Sequence, residues 1–358
     1  MSPAPAGAEP ATPYLRVDVS RLRANLERTA RWAASAGVAL RPHAKTHKCP
    51  QVARLQLDAG AVGLTVATIG EAEVLVDAGV EDVFIAYPLW LTDEAAARLR
   101  DLAGRADLAI GVDSAEAAAR AARLLDSSGV VALVEVDSGQ HRTGVAPETA
   151  GALAAAAVEA GLPVRGVFTF PGHSYAPDAL RTAADDEARA LRVATASFRS
   201  AGLEPGVVSG GSTPSLEHTH TDELTELRPG VYAFGDAQQW ELGATDPADV
   251  ALACRATVVS HAGGRLVLDA GSKVLGADRA SYATGWGRLP AYAGARVVQL
   301  SEHHAVVDLV GAPLPALGTR VDVVPNHVCA AVNLADTLWA DTGTGLEAWP
   351  VAARGRNS

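Results

Sequence analysis

The sequence predicts an α/β protein in which a (β/α)8 barrel is followed by a smaller, mostly β domain. Three observations carry that reading. From about residue 14 to 235, short apolar runs alternate with longer Ala/Leu/Arg/Glu stretches of helical period. The apolar runs are nearly unbroken, as expected of strands buried on both faces of a parallel sheet. After residue 250 the pattern changes to period-two alternation with Gly and Pro turns.

Taken in order, residues 1–12 (MSPAPAGAEPAT) read as a mobile tail without the charged and apolar regions of a signal peptide. Barrel strands are expected at VALR (38–41), VGLTVA (62–67), DVFIAY (82–87), LAIGV (108–112), VALVEVD (131–137), VRGVFTF (164–170), GVVSG (206–210) and VYAF (231–234). Helical segments such as SRLRANLERTARWAASAG (20–37) and IGEAEVLVDAG (69–79) lie between them. Eight such strands fit a closed barrel better than an open doubly wound sheet, although strand count alone leaves the open sheet as the alternative. The segments 254–272, 295–311 and 319–334 then alternate as strands. The predicted division is therefore a tail at 1–12, a barrel at 13–244 and a β domain at 245–358.

Composition narrows the function. The chain has 358 residues, 48% of them hydrophobic and 20% charged, which supports a sizeable core in a soluble protein. A formal net charge of −11 argues against a general nucleic-acid or anionic-membrane binder. Three scattered cysteines, Cys49, Cys254 and Cys329, give no disulfide framework, so a reduced, cytoplasmic setting is expected. No apolar run reaches transmembrane length.

On a barrel, chemistry gathers at the C-terminal ends of the strands. Lys45 follows the first expected strand, and Thr68 with Glu71 the second. Asp137, Gln140 and Arg142 follow the fifth, and His173, Ser174 and Tyr175 the sixth. Ser209, Gly210, Gly211, Ser212 and Thr213 follow the seventh, and RPGVY (228–232) leads into the eighth. The SGGST loop has the glycine and hydroxyl content of a phosphate cradle, at a position where barrels often bind phosphate. A phosphate clamp facing a lysine points to pyridoxal phosphate, with Lys45 as the Schiff-base residue. Lys45 lies in RPHAKTHKCP (41–50), a cationic stretch in an acidic protein, where neighbouring cations favour an unprotonated amine. A solvated basic loop is the plainer account of such a cluster.

A second cluster is VVPNHVCAAVNL (323–334). If the segment is β, His327 and Cys329 point to one face and could hold a borderline-soft ion such as Zn²⁺, leaving positions open. A core histidine beside a buried cysteine is the alternative. His43, His47, Lys48, Asp113, Asp236, Gln239, His303 and His304 are further candidates for the pocket. Of His303 and His304, at most one can face it if they lie in a strand.

Seven blocks in order, RPHAKTHK, EVDSGQHRTGV, GHSY, VSGGSTPS, ELRPGVYAFGD, LDAGSK and PNHVCAAVN, resemble the D-serine dehydratase / D-threonine aldolase family. These are fold-type III, alanine-racemase-like pyridoxal-phosphate enzymes, and the resemblance runs from about Thr12 to near residue 350. It implies that Lys45 carries the cofactor and acts as base on the substrate α-hydrogen. Arg142 would sit beside the cofactor's phenolic oxygen. Tyr175, the loop Ser209, Gly211, Ser212 and Thr213, and Gly230 with Tyr232 would hold its phosphate and ring. His327 and Cys329 would bind a divalent metal, Zn²⁺ being expected with Mn²⁺ or Mg²⁺ as alternatives, next to the substrate's β-hydroxyl. The implied substrate is a small β-hydroxy-D-amino acid, and the implied assembly a homodimer.

The reaction expected first is β-elimination to a 2-oxo acid and ammonia. Retro-aldol cleavage to glycine and an aldehyde is the alternative, and amino-acid racemisation ranks third. Cys329 stands where aldolases of this family often carry Asp, which tilts the reading towards elimination. FTFP before GHSY and Trp286 in ATGWGRL also depart from the common pattern, one at the pocket wall and one at substrate choice. Tyr282 lies close to the place where a racemase would carry its second base.

Overall fold

The computed structural model describes residues 9–292 and 294–358. Most of the expected tail, residues 1–8, lies outside the described residues, whereas Thr12 is anchored, its hydroxyl donating to Asp269 Oδ2 at 2.6 Å. The chain divides into two units, each built from several segments. The first comprises residues 28–45, 52–230 and 355–358, and the second comprises, of the described residues, 9–27, 46–51, 231–292 and 294–354. The division thus differs from the expected blocks 13–244 and 245–358. The early strand Tyr14–Asp18 hydrogen-bonds to Leu252–Ser260 and Thr337–Asp341, which ties it to the second unit.

In the first unit, eight parallel strands form one sheet. They are Ala39–Leu40, Leu64–Val66, Asp82–Pro88, Asp107–Val112, Val131–Glu135, Val164–Phe168, Val207–Gly210 and Glu226–Leu227. The ends meet where His43 bridges Thr65 and Thr65 N–H donates to Pro42 O at 2.8 Å. This closes the predicted barrel. The eighth strand is Glu226–Leu227 rather than 231–234, because Val231–Ala233 forms a 3-10 turn after the fixed φ of Pro229 and the glycine at 230. The helices after the second, third and fourth strands start with side-chain caps from Thr68, Thr92 and Ser114. Thr68 accepts from Glu71 N–H at 3.1 Å while Glu71 reaches back to Ala67 N–H at 2.7 Å. Those two residues, placed near the site by sequence, therefore have a defined structural task.

Phe84, Ala109, Leu133 and Phe168, from four successive strands, cluster in the barrel core. The rings of Phe84 and Phe168 meet edge-on with centroids 5.0 Å apart. Gly111 makes room for this pair, since a Cβ there would lie 2.8 Å from the Phe168 ring.

In the second unit, nine strands form a mixed sheet. Six of them, Leu252–Ser260, Leu266–Leu268, Gly287–Arg288, Arg296–Leu300, Ala305–Asp308 and Arg320–Pro325, pair antiparallel in a closed ring. Tyr14–Asp18, Thr337–Asp341 and Leu346–Pro350 extend it. His303 and His304 sit in the exposed turn before Ala305–Asp308, not in a strand, because Ser301 N–H closes the turn on His304 O at 2.8 Å. Among the described residues no helix is long and apolar enough to cross a membrane.

Candidate active site

Lys45 lies on a 3-10 turn, Ala44–Thr46, at the C-terminal end of the first barrel strand. Its ammonium is 5.7 Å from the centroid of Phe170, just beyond the sixth strand. Arg142, from the loop after the fifth strand, lies over the same ring at 5.6 Å. The Tyr175 ring is 6.3 Å from it at a tilt of 48°. Three residues read from distant motifs therefore gather around one aromatic ring, and that ring belongs to the FTFP departure. At the end of the fifth strand Glu135 is buried, with Oε1 accepting from Thr143 at 2.8 Å and Oε2 without a partner among the described residues. Burial raises its pKa. An unsatisfied buried polar atom is the kind of feature a mouth built for a polar ligand leaves.

The SGGST loop contributes in two ways. Ser174, Ser212 and Ser215 form a buried chain of hydroxyls, each link 2.8 Å. Thr213 is buried beside them in sequence. Ser209 turns the other way, donating to Glu226 Oε1 at 2.7 Å and accepting from Arg228 Nε at 2.8 Å. Its hydroxyl is thus committed to the barrel interior. Gly211 adopts φ +85° and gives its N–H to Glu187 Oε1 at 2.7 Å. Gly230 ends the barrel unit's main segment, and Tyr232 is buried in the Val231–Ala233 turn of the second unit. Asp113 accepts from Gly144 N–H at 3.4 Å, and Asp137 caps the QHR turn through the N–H groups of Gly139 and His141.

The cationic stretch is largely structural. Arg41 is buried and pairs with Glu226 at 2.7 Å and Asp82 at 2.6 Å, so its charge is answered by two carboxylates. His47 is fully buried and accepts from Cys49 N–H at 3.1 Å, while Lys48 Nζ donates to Asn333 Oδ1 at 2.8 Å. His43 Nδ1 accepts from Lys45 N–H at 3.4 Å. Repulsion among uncompensated cations is not what organises this segment.

In the second unit, the strand Arg320–Pro325 ends before His327, and Cys329 lies in the first turn of the helix Val328–Leu334. The expectation of one β segment is corrected. The two side chains still meet, because His327 is extended (φ −127°) at the helix N-cap and hydrogen-bonds Cys329. Asp236 fixes the turn by accepting from Val328 N–H at 3.1 Å and from Gln239 N–H at 2.8 Å. His327 Nδ1 also bonds Asp278 Oδ2, and Cys329 Sγ lies 3.4 Å from the Thr46 hydroxyl. Burial would lower the histidine's pKa, but Cys329, Asp236 and Asp278 outweigh it and raise it to about 10. A nitrogen and a sulfur donor set among anions suits a divalent cation. Among the described residues no group of three or more His, Cys, Asp or Glu side chains is placed to hold a metal ion. Gln239 is fully buried with neither side-chain amide atom hydrogen-bonded among the described residues, and burial raises the pKa of Tyr282.

Sequence reasoning passed over Arg228 and Glu187. Arg228 is buried over the Phe84 and Phe168 rings at 5.7 and 5.3 Å and donates to Thr169 O. Its only sequence signal was the RPG turn. Glu187 lies within a long helix, and nothing in the helical pattern marks it as buried.

A parallel barrel bearing a lysine at its mouth, joined in one chain to a β unit with a His–Cys pair, defines an alanine-racemase-like class of enzyme. The alanine racemase N-terminal domain model matches residues 17–238, and a putative serine dehydratase domain model matches residues 251–340. The chain belongs to this fold-type III, pyridoxal-phosphate-dependent family. It is 33% identical over 348 residues to D-threo-3-hydroxyaspartate dehydratase of Delftia sp., covering 89% of this chain and 91% of that one. D-threonine aldolase from Filomicrobium marinum superposes with a TM-score of 0.86 at 32% identity, covering 99% of this chain and 100% of that one. A D-threo-3-hydroxyaspartate dehydratase has been solved as a Cys→Ala mutant in the metal-free form (TM-score 0.87, 30% identity, 95% of this chain and 97% of that one). It has also been solved as a His→Ala mutant altered two positions earlier.

Proposed function

We propose that the protein is a pyridoxal-phosphate- and divalent-metal-dependent lyase that eliminates the β-hydroxyl of small β-hydroxy-D-amino acids, yielding a 2-oxo acid and ammonia. D-Serine and the 3-hydroxy-D-aspartates are the substrates it fits. The observation that carries the proposal is the His327–Cys329 pair, two residues apart and in hydrogen-bond contact. The same His/Cys spacing separates the mutated positions of the D-threo-3-hydroxyaspartate dehydratase structures, of which the Cys→Ala one is metal-free.

Bound by these residues, the cofactor supplies an electron sink for the α-carbon and the metal a Lewis acid for the β-oxygen. Lys45 Nζ would hold the cofactor and move the α-proton. Arg142 would donate to the cofactor's phenolic oxygen, and Tyr175 would flank the phosphate side. The hydroxyls of Ser212 and Thr213 and the loop backbone would clamp the phosphate, with Gly230 and Tyr232 beside it. His327 and Cys329 would hold the metal, Zn²⁺ being the best match to an N,S donor pair. A cytoplasmic homodimer completes the proposal, the former on reduced cysteines and the latter on the analogy of architecture.

Retro-aldol cleavage is the second reading, supported by the full-length likeness to a D-threonine aldolase. Product analysis separates the two. Purified protein with pyridoxal phosphate and Zn²⁺, Mn²⁺ or Mg²⁺ is offered D-serine, D-threonine and the 3-hydroxy-D-aspartates. Elimination yields 2-oxo acid and ammonia in equal amounts. Glycine plus an aldehyde would move the protein to the aldolases, and D/L interconversion alone would make it a racemase.

A further inference from the structure

Each proposed metal ligand has a second residue at its back. His327 Nδ1 bonds Asp278 Oδ2, and Cys329 Sγ lies 3.4 Å from the hydroxyl of Thr46, a fully buried residue. Asp278 follows the LDAGSK segment, whose short helix Ser272–Leu275 launches the loop that carries it. That loop is held on both sides of the aspartate. Gly276, at φ +74°, lies so close to the helix of Cys329 that a Cβ would meet the Ala330 side chain at 3.2 Å. Ala280 N–H donates to Gln238 Oε1 at 2.7 Å, and Arg279 stacks on Trp286 at 4.6 Å. An exposed aspartate has no need of such a mounting unless its position matters.

We infer that Asp278 and Thr46 are positioning residues of the metal site: Asp278 fixes the ring of His327 and Thr46 fixes the sulfur of Cys329. A carboxylate that accepts the Nδ1 proton leaves Nε2 as the lone-pair nitrogen, locks the tautomer and raises ligand basicity. As a thiol Cys329 donates to the Thr46 hydroxyl; deprotonated for a metal it can only accept, and the hydroxyl would then donate to it, hold the sulfur's direction and temper its charge. The two contacts are independent, so each ligand arrives oriented before a metal binds. Thr46 is also the residue that follows Lys45 in the chain, so a change at Thr46 must be read apart from any change at the lysine. The inference rests on the metal reading of His327 and Cys329.

The test is metal affinity, measured on the full chain loaded with pyridoxal phosphate. Zn²⁺ is titrated against a chromophoric chelator, and Co²⁺ is added separately to read the sulfur-to-metal absorption band. Asp278→Ala is expected to weaken Zn²⁺ binding about 10- to 100-fold, with Asp278→Asn between it and the native protein. Thr46→Val is expected to weaken it about tenfold and to shift the Co²⁺ band, and Thr46→Ser is expected to restore both. Thr46→Ala replaces the valine variant if that one does not fold. Unchanged Zn²⁺ affinity in Asp278→Ala or in the Thr46 hydroxyl deletion overturns the inference. His327→Ala and Cys329→Ala run alongside. If they too bind Zn²⁺ like the native protein, the metal reading itself has failed rather than the positioning roles alone.

Discussion

Phe170 gathers Lys45, Arg142 and Tyr175 around its ring, and the neighbouring serines divide by direction rather than by position in the loop. Ser209 and Ser212 are three residues apart and both are buried, yet one hydroxyl joins Glu226 and Arg228 while the other joins Ser174 and Ser215. The two should therefore fail differently. Ser209→Ala removes hydrogen bonds to two charged groups and is expected to cost about 2 kcal/mol of stability in urea unfolding. It should leave cofactor affinity within about twofold. Ser212→Ala should weaken pyridoxal phosphate binding about tenfold with a smaller loss of stability, equivalent to about 1.4 kcal/mol of binding. Equal losses of cofactor affinity in both variants would show that Ser209 reaches the phosphate after all.

The helix Leu180–Ser200 illustrates how an element can shape a site without supplying a ligand to it. Its Glu187 is buried under the SGGST loop and accepts the Gly211 N–H, and a Cβ on Gly210 would sit 2.4 Å from the same carboxyl oxygen. Burial pushes the Glu187 carboxyl up to about 7, against the pull of Gly211, Arg228 and His220. The folded state then keeps a proton that the unfolded chain releases near the ordinary carboxyl value, so stability falls as pH rises from about 4.5 to about 7. Glu187→Gln keeps an acceptor for Gly211 and removes the titration. It should flatten that slope and make the protein more stable at pH 8, by up to roughly 3 kcal/mol. Urea unfolding at pH 5, 6.5 and 8 checks this, and a variant that keeps the native slope would assign it to another group. Much of the barrel was legible because its strands are apolar on both faces and its helices keep their period. The eighth strand was not, since Glu226–Leu227 is two residues long and half of it is a charged residue satisfied internally by Arg41. The placement of Tyr14–Asp18 in the second sheet was invisible for a different reason: strand pairing across more than two hundred residues leaves no local pattern. At the candidate site, Lys45 and the His–Cys pair stood out through the ordered motif blocks that carry the family resemblance. Arg228 and Asp278 gain meaning only from what they touch.

At the scale of the whole molecule, one chain unites a lysine at a barrel mouth with a His–Cys pair in a β unit, and the proposed reaction needs both. In the proposed reaction Lys45 would move the α-proton without a metal, whereas loss of hydroxide from the β-carbon would call for a Lewis acid. The most direct measurement is therefore elimination from a 3-hydroxy-D-aspartate by pyridoxal-phosphate-loaded protein, before chelation, after it, and after Zn²⁺ is restored. The expected result is release of 2-oxo acid and ammonia that stops on chelation, returns with Zn²⁺, and is absent in Lys45→Ala and His327→Ala throughout. Elimination that continues undiminished in the chelated protein, or in His327→Ala, would contradict the account.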